Sequence, residues 1–289
     1  MGKGNLIYII FYGAALLVLM AMPFAFGEDV STSVAITGVA PSVGSLTTSD
    51  NVALSSCGTV MVFCDAVISD SNGWNDIDNV NATLWDDATA NEGDADNNNN
   101  HYTNSTCRLY GGSGSNVNAE CNFTLQYYAN PANWTCVMYA NDTTGNVDNN
   151  SVADVTLNTL RALNVSDTIN FGSLSPGGTS TDDVNNTVTN CGNAVIDLNL
   201  SGTNLTNASA SVANITVGNV KYNVTNPGQD YTANMTSLTL SSVTRTEFSL
   251  AKRTTTPSNQ TTFWKISIPA SIENLIFTGA ITFMAVADT

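Results

Sequence analysis

Polar and apolar residues alternate with a period of two over most of the chain. Successive side chains of a β-strand point to opposite faces, so this alternation predicts strands that bury one face. Turn-forming pairs such as Asn72-Gly73 and Gly192-Asn193 recur about every 8–12 residues, a spacing typical of antiparallel β-sandwiches. We therefore predict an all-β protein with few helices, whose strands lie within residues 59–70, 77–86, 121–128, 133–142, 194–202, 211–225 and 261–269.

Two other segments carry a different pattern. Residues 275–288 are mostly apolar and Gly279 divides them, which predicts either a bent hairpin or one long closing strand. Residues 86–100 are almost wholly polar and predict a mobile loop. The single histidine, His101, follows this loop, and we expect it at the surface.

Charge divides the chain near residue 158. Residues 28–158 hold 16 acidic residues and one basic residue, Arg108, whereas residues 159–289 hold 8 acidic and 6 basic residues. Such a change in composition indicates a domain boundary. We predict two antiparallel β-sandwich domains, an acidic one over 28–158 that contains disulfides and a second over 159–289.

The first 27 residues predict an export signal or a membrane anchor. Lys3 precedes an uncharged apolar run over 6–26, and Ala25-Phe26-Gly27 offers small residues before Glu28. A cleaved signal peptide and an uncleaved anchor both fit, because the run is long enough to span a bilayer. Processing after Gly4, as in pilins, is a third interpretation. Under each of them the rest of the chain is exported.

The formal net charge of −16 argues against nucleic acid as a partner, because both molecules would repel each other. One histidine disfavours catalytic triads and zinc sites with histidine ligands. The adjacent carboxylates Asp86-Asp87 and Asp182-Asp183 would point to opposite faces of a strand, which does not suit paired acid–base chemistry. We therefore expect no enzymatic activity and no cofactor other than calcium.

The chain has six cysteines, an even number that favours disulfides in an exported protein. None lies in a Cys-x-x-Cys pair, and fifteen pairings are open in principle. Cys107 and Cys121 flank a turn-rich stretch, so a bridge between them would close a hairpin.

Residues 32–158 resemble immunoglobulin-like surface domains. Cys64 lies on an early predicted strand, Trp85 on the next, and Cys136 on a late one, two residues after Trp134. The resemblance implies a Cys64–Cys136 bridge between the sheets with a tryptophan packed against it. We also predict a bridge between Cys57 and Cys191.

The second domain is similar to β-sandwich modules of prokaryotic, especially archaeal, secreted cell-surface proteins. The segments that carry this resemblance are 170–180, 189–205 and 277–288. The resemblance implies a structural module at the cell surface.

Sequons for N-glycosylation are more frequent than composition predicts. The 38 asparagines should give roughly 8 by chance, and the chain has 15. On a strand, Asn199 and Ser201 would face water while Leu198 and Leu200 face the core. A half-buried strand rich in Asn and Thr also creates sequons without selection for glycans, so both interpretations stay open. We predict glycosylation at Asn81, Asn104, Asn122, Asn133, Asn141, Asn149, Asn164, Asn185, Asn199, Asn204, Asn207, Asn214, Asn223, Asn234 and Asn259.

Acidic and amide side chains crowd around a turn in residues 70–78. Oxygen ligands of this kind suit calcium, so we predict a calcium site formed by Asp70, Asn72, Asp76 and Asp78. The alternative is that Asn72-Gly73 simply forms a turn.

These features predict an exported, N-glycosylated structural or interaction protein of the cell envelope, either a surface-layer protein or a surface-anchored module. Its partners would be other envelope proteins or further copies of the chain, and the membrane if the N-terminal segment is uncleaved. One alternative is a pilin-like filament subunit that retains its N-terminal helix. Another is a carbohydrate-binding adhesin with exposed Trp74 or Trp264 as a stacking platform.

Overall fold

The computed structural model describes residues 27–166, 168–210 and 214–289 of the 289-residue chain. Residues Gly38–Thr289 form one compact unit, and Met1–Thr37 form another. Residues 27–37, the described part of Met1–Thr37, are irregular and exposed. The predicted signal peptide or anchor over 1–27 lies outside the described residues except for Gly27. Within the described ranges, no helix has the length and apolar character to cross a membrane.

The described residues are almost entirely strands and connecting turns, so the prediction of an all-β protein is confirmed. Two 3-10 helices of three residues each, Trp74–Asp76 and Val217–Asn219, are the helical elements in these ranges. The strands are β1 (Ser42–Val43), β2 (Thr47–Thr48), β3 (Thr59–Ser69), β4 (Ile77–Asp86), β5 (His101–Asn104), β6 (Arg108–Ser113), β7 (Asn116–Gln126), β8 (Asn133–Asp142), β9 (Val147–Thr156), β10 (Leu163–Val165), β11 (Val184–Asn190), β12 (Ile196–Gly202), β13 (Val220–Asn223), β14 (Thr236–Ser237), β15 (Val243–Leu250), β16 (Asn259–Ile266) and β17 (Ile281–Ala287).

The strands form four antiparallel sheets. One sheet has the order β1-β3-β7-β6, with β2 also paired to β3, and a second has the order β5-β4-β8-β9. We call this pair the first sandwich. The other two sheets have the orders β10-β11-β16-β13-β14 and β15-β12-β17, and we call them the second sandwich.

Each sandwich encloses its own hydrophobic core. In the first, β3 and β7 pair over eleven residues, and the alternation places Val62, Cys64 and Ile68 inside. In the second, Trp264, Tyr222 and Leu198 are buried at the centre. Burial of a side chain of this size stabilises the fold by about 2 kcal/mol. The two cores lie on either side of the predicted boundary near residue 158, which stays a prediction.

Two predicted strands are shorter than expected. Of residues 211–225, only Val220–Asn223 are a strand, and Ile215 instead forms an isolated bridge with Leu205. Residues 211–213 lie outside the described ranges. Of residues 275–288, only Ile281–Ala287 are a strand, and Thr278 instead forms an isolated bridge with Thr206.

The polar segment 86–100, predicted as a mobile loop, is held by its own side chains. Asp86 is 1% exposed and accepts hydrogen bonds from the Ala88 amide, the Thr89 hydroxyl and the Asn130 amide group. His101 is buried at the start of β5, so its predicted surface position is wrong. Its Nδ1 lies 3.1 Å from the Asp96 carboxylate and its Nε2 lies 2.9 Å from the Glu92 carbonyl oxygen.

A disulfide and a buried asparagine join the two sandwiches. Cys57, before β3, is bonded to Cys191, which follows β11. Asn193 is 1% exposed; its amide group donates to the carbonyls of Ala129 and Asn158, and its side-chain oxygen accepts the Leu160 N–H at 2.7 Å. Three hydrogen bonds on one buried side chain fix the approach of the two sandwiches.

Two more features make this junction tight. A Cβ at Gly192 would lie 2.1 Å from the carbonyl oxygen of Leu160, so the chains approach this closely only because the residue is glycine. The Lys252 ammonium of the second sandwich donates to the Tyr128 carbonyl at 2.8 Å and to the Asn130 and Asn99 side chains of the first. Burial lowers the pKa of Lys252, while the nearby Asp86 carboxylate opposes that shift.

Candidate functional site

Three carboxylates meet at one end of the first sandwich. Asp70 follows β3, Asp76 ends the first 3-10 helix, and Asp142 is the last residue of β8. Pairing of β4 with β8 places Asp142 opposite Ile77, next to Asp76. One oxygen atom of each carboxylate lies within 4.8 Å of those of the other two. The strand register therefore gathers residues that are more than sixty positions apart in sequence.

The two most buried of these carboxylates differ in their hydrogen bonds. Asp142 is 1% exposed, and it accepts the N–H groups of Thr144 and Asn146 as well as their side chains. Burial raises the pKa of Asp142, but hydrogen bonds from Asn146 and Thr144 outweigh that effect and leave the pKa below its ordinary value. Asp70 is 2% exposed and accepts only the Asn72 N–H, at 2.6 Å, on one oxygen; its other oxygen is buried without a hydrogen-bond partner.

The third carboxylate, Asp76, is half-buried and connects two loops. Its side chain accepts a hydrogen bond from the Thr143 hydroxyl, and its carbonyl accepts the Thr143 N–H at 2.8 Å. The group therefore joins the β3–β4 connection to the β8–β9 connection. Oxygen ligands without histidine or cysteine suit a hard cation such as calcium.

The structure places two of the four predicted calcium ligands, Asp70 and Asp76, in this group. The Asn72 side-chain oxygen instead accepts the Val39 N–H at 3.0 Å. Asp78 is exposed on β4 and lies outside the three-carboxylate group; its carboxylate accepts a hydrogen bond from Asn141 at 3.3 Å. Sequence reasoning missed Asp142, although its place at the end of a predicted strand, before the turn Thr144-Gly145, was a signal.

Three disulfides are present among the described residues, so the prediction of disulfide bonding is confirmed. Cys64–Cys136 connects β3 to β8, and therefore one sheet of the first sandwich to the other. Cys107–Cys121 has a Cα–Cα distance of 4.6 Å and links the start of β6 to β7. Cys57–Cys191 joins the two sandwiches.

The tryptophans depart from several expectations. Trp134 is fully buried in the first core, whereas Trp85, which the immunoglobulin-like pattern implied as the core tryptophan, is only half-buried. Trp264 is fully buried and packs between Tyr222 and Phe283, so its predicted role as an exposed platform is wrong. Trp74 is half-buried and packs against Gly112, where a Cβ would lie 2.3 Å from its ring.

None of the fifteen sequon asparagines is buried, whereas the buried asparagines among the described residues, Asn186, Asn190 and Asn193, are not acceptors. Leu198 and Leu200 are in the core while Asn199 between them is half-buried, as strand alternation predicts. The acceptors that are exposed are Asn133, Asn149, Asn164, Asn185, Asn214, Asn234 and Asn259.

The second sandwich has an open groove of about 900 Å³ that both polar and apolar residues line. Most of the lining comes from residues within 168–176 and 272–281, and the core residues Leu238 and Ile266 also line it. Ile276 and Leu275, both in this lining, are 80% and 41% exposed. Strand β17 is the edge of its sheet.

No protein-family model matches the chain, and no curated protein matches it in sequence. Among solved structures, it is similar to one from a study of the promiscuous specificity of carbohydrate-binding modules of the β-sandwich superfamily. The identity is 10% and the TM-score 0.26, over 86% of this chain and 97% of that chain. It is also similar to a DUF4466 family protein from Parabacteroides merdae, with 9% identity and a TM-score of 0.22 over 78% and 100% of the two chains. Similarity at this level extends neither a ligand nor an activity to this chain.

Proposed function

We propose that the chain is an exported, N-glycosylated structural protein of the cell envelope, which acts as a rigid spacer of two linked sandwiches. The observation that carries this proposal is the Cys57–Cys191 bridge between the sandwiches, reinforced by Asn193 and Lys252. A binding protein that closes on its ligand needs its modules to move, whereas a covalent bridge beside a buried polar junction restrains them.

The pairing of the cysteines also supports export. Disulfides form and persist outside the reducing cytosol, and all six cysteines of this chain are paired. The apolar segment at residues 6–26 would direct the chain across the membrane.

Glycans would solve a solubility problem that this composition creates. Charged residues are only 11% of the chain, so hydration must come from amides, hydroxyls and any attached sugars. Seven exposed acceptors are distributed over both sandwiches. Sugars at these positions would also cover strand edges that otherwise pair with other chains.

The intact mass of the protein purified from its own cells, before and after enzymatic or chemical removal of glycans, tests this proposal. We expect a mature N-terminus near Glu28, near Asn5 or intact, a mass above that of the corresponding bare chain, and a loss of six hydrogen masses relative to the reduced protein. A mass equal to the bare reduced chain in a cytosolic fraction would contradict both export and glycosylation.

A second candidate function, assembly with further copies into a lattice or filament, is favoured by exposed apolar residues at the groove of the second sandwich. Leu275 and Ile276 expose apolar surface beside the unpaired edge of β17. Analytical ultracentrifugation at increasing protein concentration tests it. We expect self-association that Ile276→Asp abolishes and Val147→Asp, an exposed substitution on the first sandwich, leaves intact. A monomer at all concentrations would contradict assembly through this groove.

A further inference from the structure

The buried, unpartnered oxygen of Asp70 needs an explanation. A carboxylate oxygen without a hydrogen bond in a buried position costs free energy, because it has lost its water and gained no partner. The second oxygen of Asp70 is in this state, and one oxygen of the Asp70 carboxylate lies within 4.8 Å of one oxygen each of Asp76 and Asp142. The two neighbouring carboxylates raise the free energy of a negative charge on Asp70 further, unless a cation lies among the three groups.

Among the residues that the structure describes, no Lys or Arg forms an ion pair with this group. Arg108, the only basic residue in 28–158, pairs with Glu120 at 3.3 Å. In the described part of the second sandwich, the basic residues are held elsewhere or exposed. Three of them have a partner within the second sandwich: Lys221 lies over Tyr231, Arg245 pairs with Glu247, and Lys265 pairs with Asp183. Lys252 lies at the junction with the first sandwich, and Arg253 lies over the ring of Tyr128. Arg161 is exposed. The compensating charge must therefore come from solution.

We propose that Asp70, Asp76 and Asp142 bind one calcium ion. Calcium takes oxygen ligands at about 2.3–2.6 Å in a flexible geometry, so oxygens on opposite sides of the ion lie up to about 5 Å apart. The separation within the group fits that span. Water would complete the coordination on the side of Asp76, which is half-buried. Zinc is disfavoured because the group contains neither histidine nor cysteine.

The ion would tie together three parts of the first sandwich. Asp70 and Asp76 flank the β3–β4 connection, and Asp142 begins the β8–β9 connection. The same loops hold the first residues of the compact unit, since Asn72 accepts the Val39 N–H and Thr144 contacts Gly38. Calcium binding would therefore stabilise the end of the first sandwich where the compact unit begins.

Terbium luminescence provides a direct test, because Tb³⁺ replaces calcium at oxygen sites and is excited through a nearby tryptophan. Trp74 lies two residues before Asp76, in the same 3-10 helix. We expect Tb³⁺ emission on excitation of tryptophan, displaced by Ca²⁺ but not by Na⁺ at matched ionic strength. Trp74→Phe should lose most of the emission and keep the calcium-dependent rise in melting temperature.

Variants assign the ligands. Asp70→Asn and Asp76→Asn should each weaken calcium binding by at least about tenfold, because each removes one charged ligand. Asp78→Asn, a matched change outside the group, should leave calcium affinity unchanged. Equal shifts in melting temperature with calcium and with sodium at matched ionic strength in the wild-type protein, or full affinity in both Asp70→Asn and Asp76→Asn, would overturn the proposal. If Asp70→Asn fails to fold, the half-buried Asp76→Asn gives the decisive result.

Discussion

The two sandwiches share a fold and differ in how they are held together. The first has two disulfides within it, one basic residue, and a group of three carboxylates without a protein cation. The second has no disulfide within its described residues, and its six basic residues are largely used in ion pairs, hydrogen bonds and contacts with aromatic rings. A strand pattern alone does not reveal this difference, because both sandwiches have the same alternation.

The surroundings of one carboxylate in the first sandwich, Asp65, disfavour its charged form. Burial, and then the neighbouring Glu120, raise the pKa of Asp65 on β3. In the second sandwich the buried Lys265 lies 3.6 Å from Asp183 and compensates that carboxylate. Two disulfides cross-link the first sandwich, whereas the second pairs more of its charges internally.

The largest expected effect is the loss of the bridge between the sandwiches. Cys57→Ser with Cys191→Ser opens a loop with a sequence separation of 134, which should cost about 5 kcal/mol in the chain-entropy account. Cys107→Ser with Cys121→Ser opens one of 14 and should cost about 3 kcal/mol. Calorimetry should show one transition for the wild type and two for the first variant. A single transition in both variants would show that the bridge does not couple the sandwiches.

The polar junction should have the next largest effect. Asn193→Ala removes the hydrogen-bond partner of the Ala129 and Asn158 carbonyls and of the Leu160 N–H, so the free energy of unfolding should fall by about 1–3 kcal/mol in urea denaturation. Asn116→Ala, an exposed position at the start of β7, is the control and should change stability by less than about 0.5 kcal/mol. Equal losses of unfolding free energy in the two variants would show that Asn193 makes no particular contribution to the junction.

Alkaline pH should weaken the first sandwich through Tyr102. Burial raises the pKa of Tyr102 from 10.0 to about 12, and its hydroxyl donates to the Asn98 carbonyl at 2.7 Å. Because the folded state holds this proton more tightly, its contribution to stability is complete below pH 10 and is lost as the pH rises toward 12. Titration of tyrosinate absorbance should show a component near pH 12 that Tyr102→Phe removes. Persistence of that component in the variant would assign it to another tyrosine.

Glycan occupancy should have the smallest effect on stability. We expect higher occupancy at the seven exposed acceptors than at the half-buried ones, because amides such as Asn122 and Asn207 already donate hydrogen bonds within the protein. Asn149→Gln should remove one glycan and change stability by less than about 0.5 kcal/mol. Glycopeptide mapping of the native protein measures the occupancy of each acceptor, and urea denaturation measures the change in stability. Equal occupancy at exposed and half-buried acceptors would contradict the expectation that exposure in the folded protein controls glycosylation.

The sequence predicted strands best where alternation was clean. The bounds of β4 and β8 agree with the predicted ranges 77–86 and 133–142, since both strands bury one face against the first core. Prediction failed for residues 211–225, where a 3-10 helix at Val217–Asn219 interrupts the alternation. The sequence also named the three cysteine pairs that the structure joins.

The candidate site could be predicted only in part. Asp70 and Asp76 are close in sequence, so a local motif revealed them, but Asp142 joins them only through the register of β4 and β8. The contacts of the buried His101 with the Asp96 carboxylate and the Glu92 carbonyl are local, but the polar composition of residues 86–100 does not reveal them. Local sequence patterns identify candidate ligands, and the pairing of strands decides which of them lie close together.

The central claim is that the chain exists outside the cytosol as two sandwiches joined by a covalent bridge. Peptide mapping under non-reducing conditions, on protein taken from the outside of its own cells, tests it most directly. The account predicts a cross-linked peptide that contains Cys57 and Cys191, together with no free thiol among the six cysteines. Free thiols at Cys57 and Cys191 in that material would contradict it.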